Sequence, residues 1–95
     1  MARYVILIRF TDQGARALKK SAARAAGFCK AAAKGGVKVE TQLWTVGSCD
    51  GVLILSGDEQ DILRSLAGLA ALGNVRTETL RAFDGREFHS AVGKC

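Results

Sequence analysis

Cysteine is scarce in this sequence, and the three that occur, Cys29, Cys49 and Cys95, follow no recognisable spacing. An odd number without a Cys-x-x-Cys pair argues against a disulfide framework. No hydrophobic leader precedes the first apolar run, so we expect a reducing, cytoplasmic environment. His89 is the only histidine. Because zinc or iron needs three or four convergent ligands, we expect no metal site within one chain and no cofactor. The alternative is a site between subunits that pairs His89 with Cys49 or Glu87.

Long hydrophobic runs are also missing. The longest ones, residues 4–8 and 52–55, are far shorter than the roughly 18 residues of a membrane-spanning helix. We therefore expect no membrane segment.

Acidic residues are absent from residues 13–34, which contain six basic ones, and the chain has a net charge of +5. Nucleic-acid grooves usually combine such charge with exposed aromatic rings that stack on bases. The aromatic residue of this stretch, Phe28, lies among alanines on an apolar stripe. Binding of nucleic acid through this basic helix therefore ranks last among the hypotheses.

The 95 residues, 48% of them hydrophobic, suffice for one core, so residues 1–95 are expected to form one domain. A domain of this size buries only about two-thirds of the surface that its unfolded chain exposes. Association with further copies of itself is the simplest way to bury more.

Hydrophobic periodicity divides the chain into six main segments. Residues 3–10 form a nearly continuous apolar strand, and an alanine-rich helix, or a short helix followed by a longer one, covers 12–34 with Leu18 and Cys29 on its buried stripe. Residues 37–46 alternate as a half-buried strand with a bulge expected near Leu43 and Trp44. A glycine-flanked turn and the strand 52–55 complete a hairpin.

The second half repeats the pattern. A helix capped by Ser56 or Asp58 ends at Gly73, and the strand 75–83 follows. Residues 84–94 are expected to form a short terminal helix with Phe88 and Val92 on one face. The order βαββαβ predicts an α+β, ferredoxin-like sandwich in which both main helices cover one face of a four-stranded sheet. The other face is then free to pair with a second copy and to enclose a cavity.

Three motifs resemble the GYD-domain family of small bacterial proteins. They are Thr11-Asp12-Gln13-Gly14, then Trp44-Thr45-Val46-Gly47 followed by Asp50, and the run from Leu72 to Phe83. The Gly-x-Tyr-Asp signature of that family falls on residues 47–50, where Cys49 replaces the tyrosine, and the second helix lacks the proline-containing lead-in of the family. The resemblance implies a ferredoxin-like fold of the dimeric α/β-barrel type and a bacterial cytoplasmic protein. It implies no settled activity.

Cys49 and Asp50 are the candidate catalytic residues, because a cysteine in a glycine-flanked turn is accessible and an adjacent carboxylate handles protons. The alternative is that Cys49 half-fills the site of the missing tyrosine and Asp50 forms the turn through side-chain-to-backbone hydrogen bonds.

A second set of residues is expected to bind a ligand. Thr77, Thr79 and Arg81 share one parity of the last strand, and Trp44 and Thr45 lie before the signature turn. If that parity faces the interface, Trp44 forms a stacking wall and Arg81 or Arg76 pairs with an anion. The alternative is that the threonines are ordinary strand formers and Trp44 belongs to the core.

These patterns leave several functions open. One is a homo-oligomeric module that binds a small, anionic molecule in an interface cavity. Another is a small cofactor-independent enzyme of the dimeric α/β-barrel type, such as a monooxygenase or an isomerase. The others are a scaffold without a ligand and the nucleic-acid binder ranked last above.

Overall fold

The computed structural model describes residues 2–93, so Cys95 and the last position of the expected terminal helix lie outside the described residues. The main elements are, in chain order, β1 (Ala2–Phe10), α1 (Asp12–Arg16), α2 (Ser21–Lys34), β2 (Lys38–Trp44), β3 (Gly51–Gly57), α3 (Glu59–Ala71), β4 (Val75–Ala82) and α4 (Gly85–Val92). A single 3-10 turn, Leu18–Lys20, joins α1 to α2. No helix among the described residues is long and apolar enough to cross a membrane.

The four strands form one antiparallel sheet in the order β2-β3-β1-β4. The α+β class is confirmed, and this strand order is compatible with a ferredoxin-like fold. β1 lies in the centre because it is apolar along most of its length on both faces.

The two faces of the sheet differ in what covers them. On one face, Ile6 of β1 and Leu55 of β3, both 0% exposed, pack with Ala32 of α2 and Ile62 of α3. Side chains alternate along a strand, so Val5, Leu7, Val52, Ile54 and Leu80 point to the other face. The shortest dimension of the molecule, 17 Å, accommodates the sheet and one layer of helices. We call the side of the sheet opposite α2 and α3 the open face.

The expected bulge near Leu43 and Trp44 is wrong in position. The register of β2 against β3 shifts between Val39 and Thr41, so Glu40 is the extra residue. Glu40 lies near Arg3 of β1, with 3.4 Å between Arg3 Nε and Glu40 Oε2. The earlier shift turns Trp44 toward the helices and Leu43 toward the open face.

The long alanine-rich segment is divided, as one of the two alternatives predicts. The hydroxyl oxygen of Thr11 accepts a hydrogen bond from the Gly14 N–H and caps α1. The predicted burial of Leu18 is wrong, because Leu18 falls in the 3-10 turn and is 53% exposed. Cys29 is half-buried, and the fully buried residue of α2 is Ala32.

The terminal helix α4 is present and is held mainly by charge. Asp84 and Glu87 form a capping box, and the Arg3 guanidinium lies 3.7 Å from Asp84 Oδ2 and 3.9 Å from Glu87 Oε1. Phe88 and Val92 are exposed. The radius of gyration, 14.4 Å, exceeds the roughly 12.4 Å typical of a compact domain of this length. The molecule is therefore more elongated than most domains of its size.

We expect this charge cluster to make the attachment of α4 sensitive to acid. Hydrogen bonding by Ser56, followed by the charge of Arg3, holds the pKa of Glu40 below its ordinary value of 4.5. The Glu87 backbone N–H, followed by Arg3, lowers the pKa of Asp84 from its ordinary 3.8. Carboxyl groups with a lowered pKa in the folded state stabilise it above their unfolded pKa, and this stabilisation is lost as the pH falls through the folded pKa.

In an NMR titration, Arg3→Gln should therefore raise the titration midpoints of both Glu40 and Asp84. Arg64→Gln, which removes the separate ion pair with Asp61, serves as the control and should leave both midpoints unchanged. Unchanged midpoints in Arg3→Gln would show that Arg3 does not hold the cluster together.

Candidate ligand-binding site

An apolar cavity of about 560 Å³ lies between α2, α3 and the helix-bearing face of the sheet. Ile8 and Leu53 form its floor on the sheet, Phe28 and Ala31 line the α2 side, and Leu69 lines the α3 side. The volume falls within the range of about 300–1,000 Å³ that is usual for small-molecule pockets.

Glycine residues lie on both helices where this space opens to solvent. Gly27 of α2 and Gly68 of α3 are both exposed, and a Cβ atom built at either one meets no other atom within 4 Å. Both line the cavity and lie inside their helices, where glycine costs about 1 kcal/mol relative to alanine. The mouth of the cavity is therefore free of side chains at these two positions, at a cost in helix stability.

Polar side chains lie at the two ends of the cavity. At one end, the Asp61 carboxylate accepts a hydrogen bond from Arg64 at 3.0 Å. At the other end, where β1 terminates, Arg24 donates to the Ala17 carbonyl at 2.8 Å and to the Gly14 carbonyl at 3.5 Å. Among the described residues, no carboxylate lies within 4 Å of the Arg24 guanidinium.

Trp44 lines the cavity, although it is 53% exposed and does not belong to the core. Its indole Nε1–H donates a hydrogen bond of 2.9 Å to the Ser21 hydroxyl at the start of α2. Thr45 follows outside the cavity and donates to the Cys49 carbonyl at 2.7 Å. The structure therefore places one of these two predicted ligand residues at the cavity wall.

The other predicted ligand residues, Thr77, Thr79 and Arg81, lie on β4 at the opposite edge of the sheet from Trp44. They stand opposite Ile8, Ile6 and Tyr4, and so share the helix-bearing face. The Arg81 guanidinium stacks on the Phe83 ring at 4.3 Å and donates to the Arg3 carbonyl. Within one chain, the structure does not bring these three residues together with Trp44, and their role in ligand binding stays a prediction.

Cys49 and Asp50 both make contacts that hold the signature turn. The Cys49 Sγ lies 3.5 Å from the Thr45 Oγ1. The Asp50 carboxylate accepts the Phe10 N–H at 2.9 Å, and the Asp50 N–H donates to the Ile8 carbonyl at 2.7 Å. Asp50 also lines the cavity. These bonds match the turn-forming alternative for Asp50, while catalysis by either residue stays a prediction.

Sequence reasoning missed Arg24, Gly27 and Gly68 as cavity residues. Arg24 was counted with the solvated basic run, and glycine inside a helix pattern carries no sign of what it faces. A glycine within each of the two main helical segments is the one signal in the sequence that could have indicated unfilled space between the helices. Among the described residues, no group of three or more histidine, cysteine, aspartate or glutamate side chains could hold a metal ion.

Two of the sequence motifs interlock at the same end of the sheet. The Thr11 hydroxyl donates to the Gly73 carbonyl at 2.7 Å, and the Thr11 N–H donates to the Asn74 carbonyl at 3.1 Å. The Gln13 amide donates to the Leu72 carbonyl and to the Asn74 side chain, both at 3.0 Å. A Cβ at Gly14 would lie only 2.0 Å from the Asn74 carbonyl oxygen. These motif residues therefore fix the end of β1 against the start of β4.

The close approach at Gly14 can be tested by substitution. Gly14→Ala should lower the free energy of unfolding by about 1–3 kcal/mol, because the backbone of residue 74 must move away from the new methyl group. Gly27→Ala is the matched control and should be neutral or stabilising by up to about 1 kcal/mol. Urea denaturation of both variants gives the comparison, and equal stabilities would rule out tight packing at Gly14.

Comparison with protein families gives one match, to the family model described as the GYD domain, over residues 4–92. Comparisons with curated proteins and with solved structures give no significant match. The matched region contains the interlocked motifs, the signature turn and every strand except the first two residues of β1. Because the family model covers almost the whole chain, the chain belongs to the GYD domain family.

Proposed function

We propose that the protein is a self-associating binding module that holds a small, largely apolar molecule in the cavity between α2 and α3. The observation that carries this proposal is the cavity itself, about 560 Å³ with apolar walls, together with the glycines that leave its mouth free of side chains. Membership of the GYD domain family does not decide the matter, because that family has no assigned function.

An apolar cavity is favourable for an apolar ligand because binding removes apolar surface from water. Apolar side chains at the surface of the cavity gain about 25 cal/mol for each Å² that a ligand removes from water. The polar wall residues Gln42 and Trp44 already donate to partners in their own chain, so an apolar occupant leaves neither donor unpaired.

We also propose that two copies pair through the open face, as in a dimeric α/β barrel. The half-buried Val5, Leu7, Val52 and Ile54 lie there beside Leu80, which is 43% exposed. No described element of the chain covers these residues. Phe88 of α4, the helix that follows β4 in the chain, is exposed and adds further apolar surface. A second copy is the occupant that suits a small domain, since a twofold interface needs only one self-complementary patch.

The open face also offers a place for an anion at such an interface. Arg9 and Arg76 stand directly opposite each other on β1 and β4, both exposed. Like charges in this arrangement destabilise a strand pair, and an anion between them offsets the repulsion. In an assembly, Arg9 and Arg76 would together bind the anion that the sequence analysis assigned to Arg76 or Arg81. The residues of β4 that face the helices are less suited to bind an anion at this interface, because their side chains point away from it.

We place this module in the bacterial cytoplasm. The described cysteines Cys29 and Cys49 are both unpaired thiols, which is the usual state in a reducing compartment. The family resemblance supports a bacterial origin.

Filling the cavity provides a test of ligand binding. Titration with 1-dodecanol, followed through the fluorescence of Trp44, the single tryptophan, should give saturable binding. Gly68→Leu should weaken that binding at least tenfold while raising helix stability, because the new side chain takes the place of the ligand. Gly85→Leu is the matched control, since its Cβ also meets nothing within 4 Å but lies outside the cavity. Absence of saturable binding to the wild type would reject the proposed cavity function.

Substitution of exposed leucines provides a test of pairing. Leu80→Glu places a charge on the open face, whereas Leu63→Glu places one on the outer side of α3, where the leucine is 67% exposed. Native mass spectrometry should show dimers or larger assemblies for the wild type and for Leu63→Glu, and monomers for Leu80→Glu. A monomeric wild type would overturn pairing through the open face.

A further inference from the structure

We infer that the occupant of the cavity is an amphiphile with a single hydrocarbon chain and an anionic head group, and that Arg24 binds the head. This inference rests on the proposed binding function and goes further by naming the class of ligand. Three observations carry it, namely the shape of the cavity, the distribution of polar groups along it, and the uncompensated charge of Arg24.

The cavity is elongated. It extends along α2 from Ser21 to Gly35 and along α3 from Asp61 into the residue after the helix, Leu72. At 1.5 Å per helical residue, these spans correspond to about 21 Å and about 16 Å.

This length suits an extended occupant. A peptide would bring backbone N–H and C=O groups that apolar walls leave without partners, whereas a chain of methylene groups has none. The length and the apolar walls of the cavity therefore favour one extended hydrocarbon chain over a peptide.

The walls have the polarity that such a chain requires. The middle of the cavity is formed by Ala25, Phe28, Ala31, Gly68 and Leu69, which present hydrocarbon or bare backbone. Charged side chains lie toward the ends. Asp61 is paired with Arg64 at one end, and Arg24 and Asp50 lie at the other, where β1 terminates. The ligand is therefore expected to be apolar along its length and polar at one end.

Arg24 is the one basic wall residue without a carboxylate within 4 Å among the described residues. It is half-buried, and its described partners are two neutral carbonyl groups, those of Ala17 and Gly14. The Asp50 carboxylate, also in the wall, is held by the Phe10 N–H. Arginine has five N–H donors, so donors remain for a ligand, and the geometry of the guanidinium suits carboxylate or phosphate. The N-terminal end of α2, which has no acidic residue in its first turn, adds a favourable dipole at the same end.

The test compares molecules that differ only in the head group. Binding of dodecanoate, dodecyl phosphate and 1-dodecanol to the wild type is measured below micelle-forming concentrations through Trp44 fluorescence. We expect at least one of the two anions to bind ten times more tightly than the alcohol, equivalent to about 1.4 kcal/mol. The stronger of the two anions identifies the head group as carboxylate or phosphate.

The role of Arg24 is tested with a matched pair of variants. Arg24→Gln should bring the anions to the affinity of 1-dodecanol, while Arg16→Gln, on exposed α1 and outside the cavity, should keep the preference. Each variant is judged by its own ratio of anion to alcohol affinity, so a general loss of stability does not imitate the effect. If Arg24→Gln does not fold, dodecyltrimethylammonium serves with the wild type and should bind at least ten times more weakly than the preferred anion.

The possible failures are distinguishable. If the wild type binds the anions and 1-dodecanol with equal affinity, the ligand does not need an anionic head group, and the proposal of an apolar binding cavity is retained. An anion preference that persists in Arg24→Gln overturns the assignment to Arg24. Absence of binding by all of the probes overturns this inference and the proposed function together.

Discussion

The whole structure depends on a central strand that is apolar on both faces. Ile6 on one side of β1 is fully buried, and Val5 and Leu7 on the other side are only half-buried. Because side chains alternate along a strand, helices on one face cannot cover the residues of the other. The helix-bearing face therefore closes a core within the chain, and the open face keeps part of its apolar surface uncovered.

The core is concentrated in part of the space beneath the helices. Ala32, Val37 and Ile62 close it against Leu55, and the remaining space between α2 and α3 is left to the cavity. Glycine at positions 27 and 68 makes both helices weaker than alanine would. A domain with so small a core has little stability to spare.

The motifs that identify the family serve mainly to build the scaffold. Thr11, Gln13 and Gly14 bind the segment around Asn74, and Asp50 fastens the signature turn to the end of β1. These contacts join segments that are some 40 to 60 residues apart in sequence. They fix one end of the sheet, which is also the end at which Arg24 lines the cavity.

The sequence by itself determined the order of the strands and main helices and the presence of the terminal helix, because periodicity depends on residues close together in the chain. Tertiary structure decided the bulge at Glu40, since the partner of that carboxylate, Arg3, lies on a strand that is remote in sequence. It also decided the cavity, because the unfilled space belongs to two helices that meet only in the folded molecule. In the sequence, Arg24 is one of several basic residues. Only the fold places it at the end of an apolar cavity, where no carboxylate of the described residues lies within 4 Å of its guanidinium.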